Sequence, residues 1–209
     1  QWEWRLRPYC NEIMVIDDLA NRRHDCDILL DQNFYLNKDA RYAGLVPEHC
    51  KMLLGPEHAL LREEFYEAKK HLRKRDGTIK NILVFYGGSD LTNETEKAIK
   101  ALVQLHDEGY SFTADIITGV SNSRREKIEK ICSKYQFFHY YCQVSNMAEF
   151  MNKADLMLGA GGSTTWERLY MELPALVTAV AENQIQGCRD CSHAGIIEYL
   201  GINEDVRVD

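Results

Sequence analysis

The sequence predicts an α/β fold built on mostly parallel sheets. Three observations carry that reading. Short apolar runs alternate with amphipathic stretches, which is the pattern of successive strand–helix–strand units. Several of the apolar runs are continuous rather than alternating, as expected of strands covered by helices on both faces. Two of the runs end in glycine pairs that lead into the next segment.

The strand candidates, in order, are Ile13–Ile16, Ile28–Leu30, Met52–Leu54, Ile82–Tyr86, Ala114–Ile117, Phe137–Tyr141, Leu156–Leu158 and Ala175–Val177. Helices lie between them. Asn93 is the expected cap of one, with Glu94 and Glu96 early and an apolar stripe of Ala98, Leu102 and Leu105. Gly109 ends it. Ser123 to Tyr135 and Ser145 to Lys153 read as two more, and another starts after Gly161-Gly162 and stops before Pro174. The charged stretch Arg62 to Gly77 closes on a turn signal ahead of a fresh strand. It divides a partial first domain (1–75) from a fuller second one (76–209).

Composition narrows the function classes. The formal net charge of −7 and the absence of a broad basic face argue against nucleic acid as a partner. The most basic run, Lys69 to Arg75, reads as a solvated helix end. No apolar run approaches the length of a membrane span, and Gln1 to Arg7 has neither part of a secretory signal. Seven cysteines, an odd and scattered set, suggest reduced thiols and a cytoplasmic protein. Only Cys188 and Cys191 have metal or redox spacing. With no second pair, a packing role on a helix is expected of them.

In open parallel sheets, ligands bind at the carboxyl ends of strands. Two such ends carry glycines followed by hydroxyls: Tyr86-Gly87-Gly88-Ser89-Asp90 and Gly159-Ala160-Gly161-Gly162-Ser163-Thr164-Thr165-Trp166-Glu167. Glycine lets backbone N–H groups approach an anion, and a following helix start adds unsatisfied donors. Gly87, Gly88, Ser89, Gly161, Gly162, Ser163 and Thr164 are therefore the candidate phosphate-binding residues, against the plainer possibility of two tight turns. Neither loop has the spacing of a dinucleotide fingerprint or a Walker loop, so hydride transfer and ATP hydrolysis fall in rank. Glu167, one turn beyond Ser163 and Thr164, can accept ribose hydroxyls or simply favour a helix start. Asp17, Asp18 and Asp31 follow apolar strands and can face the same cleft, where at least one of them is expected to bind hydroxyls of a ligand or orient water. Ion pairing with Arg22 or Arg23 and turn capping are the competing roles.

These residues resemble a known family. Val15 to Asp27, Asp31-Gln32-Asn33, Gly55 to Arg62, Tyr86 to Asp90, Ala160 to Glu167 and Ala181-Glu182-Asn183-Gln184 are similar, in that order, to the UDP-sugar hydrolases of pseudaminic acid biosynthesis. The related spore-coat polysaccharide proteins are nearly as similar. The resemblance implies a glycosyltransferase-B fold with two Rossmann-like domains. It also implies hydrolysis of a UDP-2,4-diacetamido-trideoxy sugar without a required metal or cofactor. It places the glycine loops on the diphosphate, Glu167 on the ribose, and Asn183 and Gln184 on the sugar, with Asn183 joining Asp18 as a candidate catalytic residue. The family's presumed base, a histidine in a glycine-rich loop of an opening βα unit, has no counterpart among residues 1–209. The chain is thus expected to keep the nucleotide site without that base. A UDP-sugar-dependent glycosyltransferase and a non-catalytic nucleotide-sugar binding module are the alternatives.

Overall fold

A computed structural model describes residues 2–208. Nine strands alternate with eight α-helices. The strands are β1 (Met14–Ile16), β2 (Ile28–Asp31), β3 (Lys51–Leu54), β4 (Asn81–Phe85), β5 (Thr113–Thr118), β6 (Phe138–Cys142), β7 (Leu156–Ala160), β8 (Ala175–Ala179) and β9 (Glu198–Ile202). The helices are α1 (Trp2–Leu6), α2 (Lys38–Arg41), α3 (Glu63–Lys69), α4 (Glu94–Asp107), α5 (Arg125–Cys132), α6 (Met147–Lys153), α7 (Thr164–Tyr170) and α8 (Glu182–His193).

The first three strands form one parallel sheet in the order β1-β2-β3. The other six form a second, in the order β6-β5-β4-β7-β8-β9. All pairings in both sheets are parallel. The strand order of the larger sheet explains where its loops meet. The chain runs outward from β4 through β5 to β6, then returns to lay β7 on the other side of β4. The carboxyl ends of β4 and β7 therefore flank the point where the winding reverses, and loops leaving it diverge to open a crevice. Phe85 pairs with Gly159 there, so the two glycine loops emerge side by side.

Both faces of the larger sheet are covered at its centre, which is why β4, β5, β7 and β8 read as apolar runs. Leu83, Met157 and Val177 pack on one side with Met151, Trp166 and Cys188. Ile82, Val84 and Ile116 pack on the other with Ile99, Leu102 and Ile128. A smaller cluster of Cys26, Leu29, Tyr42, Cys50 and Leu54 backs the three-stranded sheet. Helix α3, on the stretch where the sequence divides the chain, buries Phe65 completely within the first of these cores. Removing that ring from water contributes about 1.5–3 kcal/mol.

Helix α4 is capped differently from expectation. Asn93 sits at φ +64° and its side chain caps nothing; Asp90 does the work, its two carboxylate oxygens accepting from the N–H groups of Glu94 (2.9 Å) and Thr95 (3.0 Å). Ala98 and Leu102 are buried as the stripe requires, but Leu105 is exposed. Gly109, at φ +98°, follows the helix in a conformation that strains other residues. The basic run Lys69 to Arg75 also departs from a solvated helix end. The guanidinium of Arg73 donates to the carbonyls of Asn152, Lys153 and Ala154, and that of Arg75 to those of Met151, Ala154, Met171 and Glu172. These carbonyls belong to the ends of α6 and α7, which have no intrahelical donor left.

Candidate functional site

A cavity of about 420 Å³ lies between the strand ends of the two sheets. From the smaller sheet it is lined by Asp17 and Asp18 after β1 and by Gln32, Asn33 and Tyr35 after β2. From the larger sheet come Gly161, Gly162 and Ser163 after β7, Thr165 and Trp166 in α7, and Asn183 and Gln184 at the start of α8. No lysine, arginine or histidine is among its lining residues. Any anion held here meets backbone N–H groups, side-chain amides and hydroxyls, and shares the cavity with the Asp17 and Asp18 carboxylates.

The local geometry is fixed by close contacts. Gly161 has no room for a side chain: a Cβ there would lie 2.1 Å from the Sγ of Cys188 and 3.6 Å from the Cβ of Gln184. The glycine therefore lets α8 press against the loop after β7, and this contact brings Asn183 and Gln184 to the cavity. Gln184 turns its Oε1 back to accept from the N–H of Val180 (3.0 Å). Trp166 donates from Nε1 to the Oδ1 of Asn33 (3.1 Å), tying α7 to the smaller sheet. The N–H of Leu36 donates to Asp190 Oδ2 (3.2 Å), a second tie from α8.

The sequence-predicted residues divide into groups. Asp18, Gly161, Gly162, Ser163, Asn183 and Gln184 meet in the cavity, with Asn183 Nδ2 3.4 Å from Asp18 Oδ2. Thr164 begins α7 but does not line the cavity, whereas its neighbour Thr165 does. Gly87, Gly88 and Ser89 also lie outside the lining. Gly88 presses on the loop after β5, its carbonyl accepting from Ser121 Oγ (3.1 Å), and a Cβ on Gly119 would lie 2.6 Å from its Cα.

Glu167 is turned toward the segment that joins the sheets. Its Oε1 accepts from Arg62 Nε (3.3 Å) and Nη2 (3.2 Å), and Arg62 also pairs with Glu64 (2.6 Å). Burial pushes the Glu167 carboxyl above its ordinary range, an effect that Arg62 partly offsets.

Asp17 and Asp31 are largely occupied within the smaller sheet. The hydroxyl of Tyr42 lies 3.1 Å from Asp17 Oδ2 and 3.0 Å from Asp31 Oδ2; Ala20 N–H donates to Asp17 (2.8 Å) and Arg41 Nε to Asp31 (3.1 Å). Neither pairs with Arg22, which reaches Glu3 instead (2.8 Å). His24 is buried, its Nδ1 3.0 Å from Glu3 Oε1 and its Nε2 3.7 Å from Asp17 Oδ1. Asp18 alone of the three aspartates has a carboxylate spanning toward the larger sheet.

Cys188 and Cys191 are buried on α8, their thiols pushed up to about 11 and about 12 by burial. That is the environment of packing residues rather than nucleophiles. Among the described residues no group of three or more His, Cys, Asp or Glu is placed to hold a metal ion, and no helix is long and apolar enough to cross a membrane. Asn33, Tyr35, Thr165 and Trp166 are lining residues not singled out from the sequence. Asn33 lies inside the Asp31-Gln32-Asn33 motif and Thr165 and Trp166 inside the glycine-loop motif, but only the meeting of the two sheets gives them a cavity to face.

Among solved structures, the chain superposes on the MurG protein of Acinetobacter baumannii with a TM-score of 0.59 at 13% identity, covering 98% of this chain and 57% of that one. A glycotransferase of kitacinnamycin gives 0.58 at 21% identity, covering 87% and 43%. The fold is of the glycosyltransferase-B type. No protein-family model matches the sequence. Three curated proteins are similar to it. An uncharacterized protein of Methanocaldococcus jannaschii is 31% identical over 194 residues, 89% of this chain and 38% of that protein. The UDP-2,4-diacetamido-2,4,6-trideoxy-beta-L-altropyranose hydrolase of Campylobacter jejuni is 28% identical over 173 residues, 83% of this chain and 59% of the hydrolase. The spore coat polysaccharide biosynthesis protein SpsG of Bacillus subtilis is 26% identical over 170 residues, 79% of this chain and 48% of that protein. The chain thus spans about two fifths to three fifths of the length of the curated relatives it matches.

Proposed function

We propose that this chain carries the UDP site of a nucleotide-sugar hydrolase acting in surface polysaccharide or nonulosonic acid biosynthesis. The observation that carries the reading is the cavity itself. It lies at the strand ends beside a winding reversal, is walled by a glycine–hydroxyl loop on one side, and is crossed by the Asp18–Asn183 pair. The names of the Campylobacter and Bacillus relatives support the substrate class.

In this reading the N–H groups of Gly162 and Ser163 and the Ser163 hydroxyl face the diphosphate, the Gly161 N–H being taken by the Thr178 carbonyl (3.3 Å). Gly87, Gly88 and Ser89 approach it from the neighbouring strand end. Donors fixed before the reaction stabilise charge as it develops on the departing UDP, without reorganising. Glu167 turns its free oxygen to the ribose. Asp18 and Asn183 hold the sugar between the sheets, a carboxylate accepting from hydroxyls or water while the amide both donates and accepts. Water attacks the anomeric carbon, the bond to the β-phosphate oxygen breaks, and UDP leaves with that oxygen. The proton of water passes to a base as the new carbon–oxygen bond forms. A sugar hydroxyl in place of water would make the same site a transferase.

Calorimetric titration with UDP, UMP and dUDP tests the nucleotide site, with UDP expected to bind tightest. Equal affinity for all three would overturn the reading. Product analysis with a UDP-diacetamido sugar, with and without an acceptor sugar, separates hydrolysis from transfer.

A further inference from the structure

Arg168 is the largest completely buried side chain among the described residues. It donates from Nη1 to the carbonyl of Ala160 (3.1 Å) and from Nη2 to the hydroxyl of Thr165 (3.0 Å), while its Nε has no partner. These two acceptors are the two ends of the glycine loop, so the guanidinium staples the loop from beneath. Both are neutral. Among the described residues no carboxylate pairs with Arg168, and the nearby Cys188 and Cys191 thiols stay protonated at neutral pH. Burial lowers the guanidinium to about 10, so it remains charged there. A buried charge without a counter-ion is strongly unfavourable unless something offsets it.

The same loop, through Gly161, Gly162 and Ser163, lines a cavity whose lining holds no lysine, arginine or histidine. We propose that the counter-ion of Arg168 is the bound anion, so that Arg168 acts as a positioning residue that attracts and orients a diphosphate through the Gly161–Ser163 loop. This deepens, and rests on, the UDP-binding reading. The protein interior screens such a charge much less than water does, so it is felt across the loop whose two ends it holds.

The experiment compares binding of UDP, inorganic pyrophosphate and uridine to the wild-type chain and to Arg168→Gln and Arg168→Lys. Gln keeps a donor for Ala160 and removes the charge; Lys keeps the charge. Arg168→Gln should weaken UDP and pyrophosphate on the order of tenfold, leaving uridine unchanged, and Arg168→Lys should recover most of the loss. Should the Gln variant fail to fold, Arg168→Met carries the neutral arm, since apolar side chains often replace buried charges without loss of stability. Equal weakening of UDP and uridine, or no weakening of either, reduces Arg168 to a packing role and overturns the proposal while leaving the UDP reading standing. Pyrophosphate binding that depends on Arg168, without preference for UDP, keeps the proposal and removes the nucleotide. Failure of the wild-type chain to bind either anion removes both.

Discussion

The amide Nδ2 of Asn183 lies 3.4 Å from the carboxylate Oδ2 of Asp18, and this pair bridges the two sheets. One residue follows β1, the other opens α8, and 165 positions separate them in sequence. Neither side chain is needed to hold its own element, since α8 is anchored by Cys188 against Gly161 and β1 by its pairing with β2. A polar pair with that freedom, at the mouth of a cavity, is available to a ligand.

Substitution of Asp18 by Ala should therefore separate nucleotide from sugar. UDP affinity is expected to stay within about twofold, because the change lies on the wall opposite the glycine loop. Affinity for a UDP-diacetamido sugar should drop on the order of tenfold, the cost of one charge-assisted hydrogen bond. Calorimetry with both ligands reads the difference; equal loss for the two would mean that Asp18 only holds the sheets together.

Glu167→Gln should weaken UDP by roughly three- to thirtyfold, since a hydrogen bond to a charged acceptor contributes about 1.5–3 kcal/mol against ~1 for a neutral one. The pH dependence follows from the direction of its shift. Burial raises the folded-state value, so protonation begins at higher pH than for a free glutamate. UDP affinity should then decline on acidification above the ordinary glutamate range, and the decline should be absent in Glu167→Gln. Stability has the opposite sign: the contribution of Glu167 is complete below its unfolded value and is lost as pH rises through the higher folded value. The Gln variant should accordingly melt no lower than the wild type at neutral pH. Lower melting with unchanged UDP affinity would assign Glu167 to the Arg62 ion pair alone.

Tyr42→Phe addresses Asp17, which lines the cavity, and Asp31, which lies outside the lining in the core behind it. The hydroxyl sits between Asp17 and Asp31, and Asp31 is almost fully buried. Its loss leaves carboxylate oxygens underbonded and should destabilise the protein by about 1–3 kcal/mol. Denaturant unfolding measures that loss, with UDP affinity expected to hold. A change in UDP binding without a change in stability would place Asp17 or Asp31 in the ligand site.

The eight strand candidates are all present; β4, β5, β7 and β8, buried on both faces, write that burial directly into their apolar runs, whereas β1, β3 and β6 keep exposed residues. Strand β9 escaped notice. It lies at the sheet edge, and Glu198, Tyr199, Leu200, Gly201 and Ile202 mix polar and apolar residues over a register shift. The role of Asp90 as cap follows from left-handed backbone at both Asp90 (φ +42°) and Asn93 (φ +64°), which nothing in the residue pattern announces. Arg73 and Arg75 looked solvated because their carbonyl partners lie about 80 to 100 residues away. The candidate site was legible as motifs but not as a place. Nothing local tells that Gly161 touches Cys188, that Trp166 reaches Asn33, or that Arg168 turns inward beneath its own loop.

The contact between Gly161 and Cys188 makes the sharpest structural test. A methyl at residue 161 would overlap a sulfur at 2.1 Å, so Gly161→Ala must either turn the Cys188 thiol away or push α8 away from the loop after β7; in the packed core we expect α8 to move. Overpacking of this kind typically costs about 1–3 kcal/mol, and the displacement carries Asn183 and Gln184 with it. UDP-sugar affinity should therefore fall together with stability. Cys188→Ala removes the sulfur and leaves a small void, a modest loss of its own. Combined, the two substitutions should restore part of what each costs, because the new methyl occupies the space that the sulfur left. The coupling energy from the four proteins should be favourable by at least 0.5 kcal/mol, the scale of contacting pairs. Simple additivity would show that α8 does not rest on Gly161, and the positions assigned here to Asn183 and Gln184 would have to be abandoned.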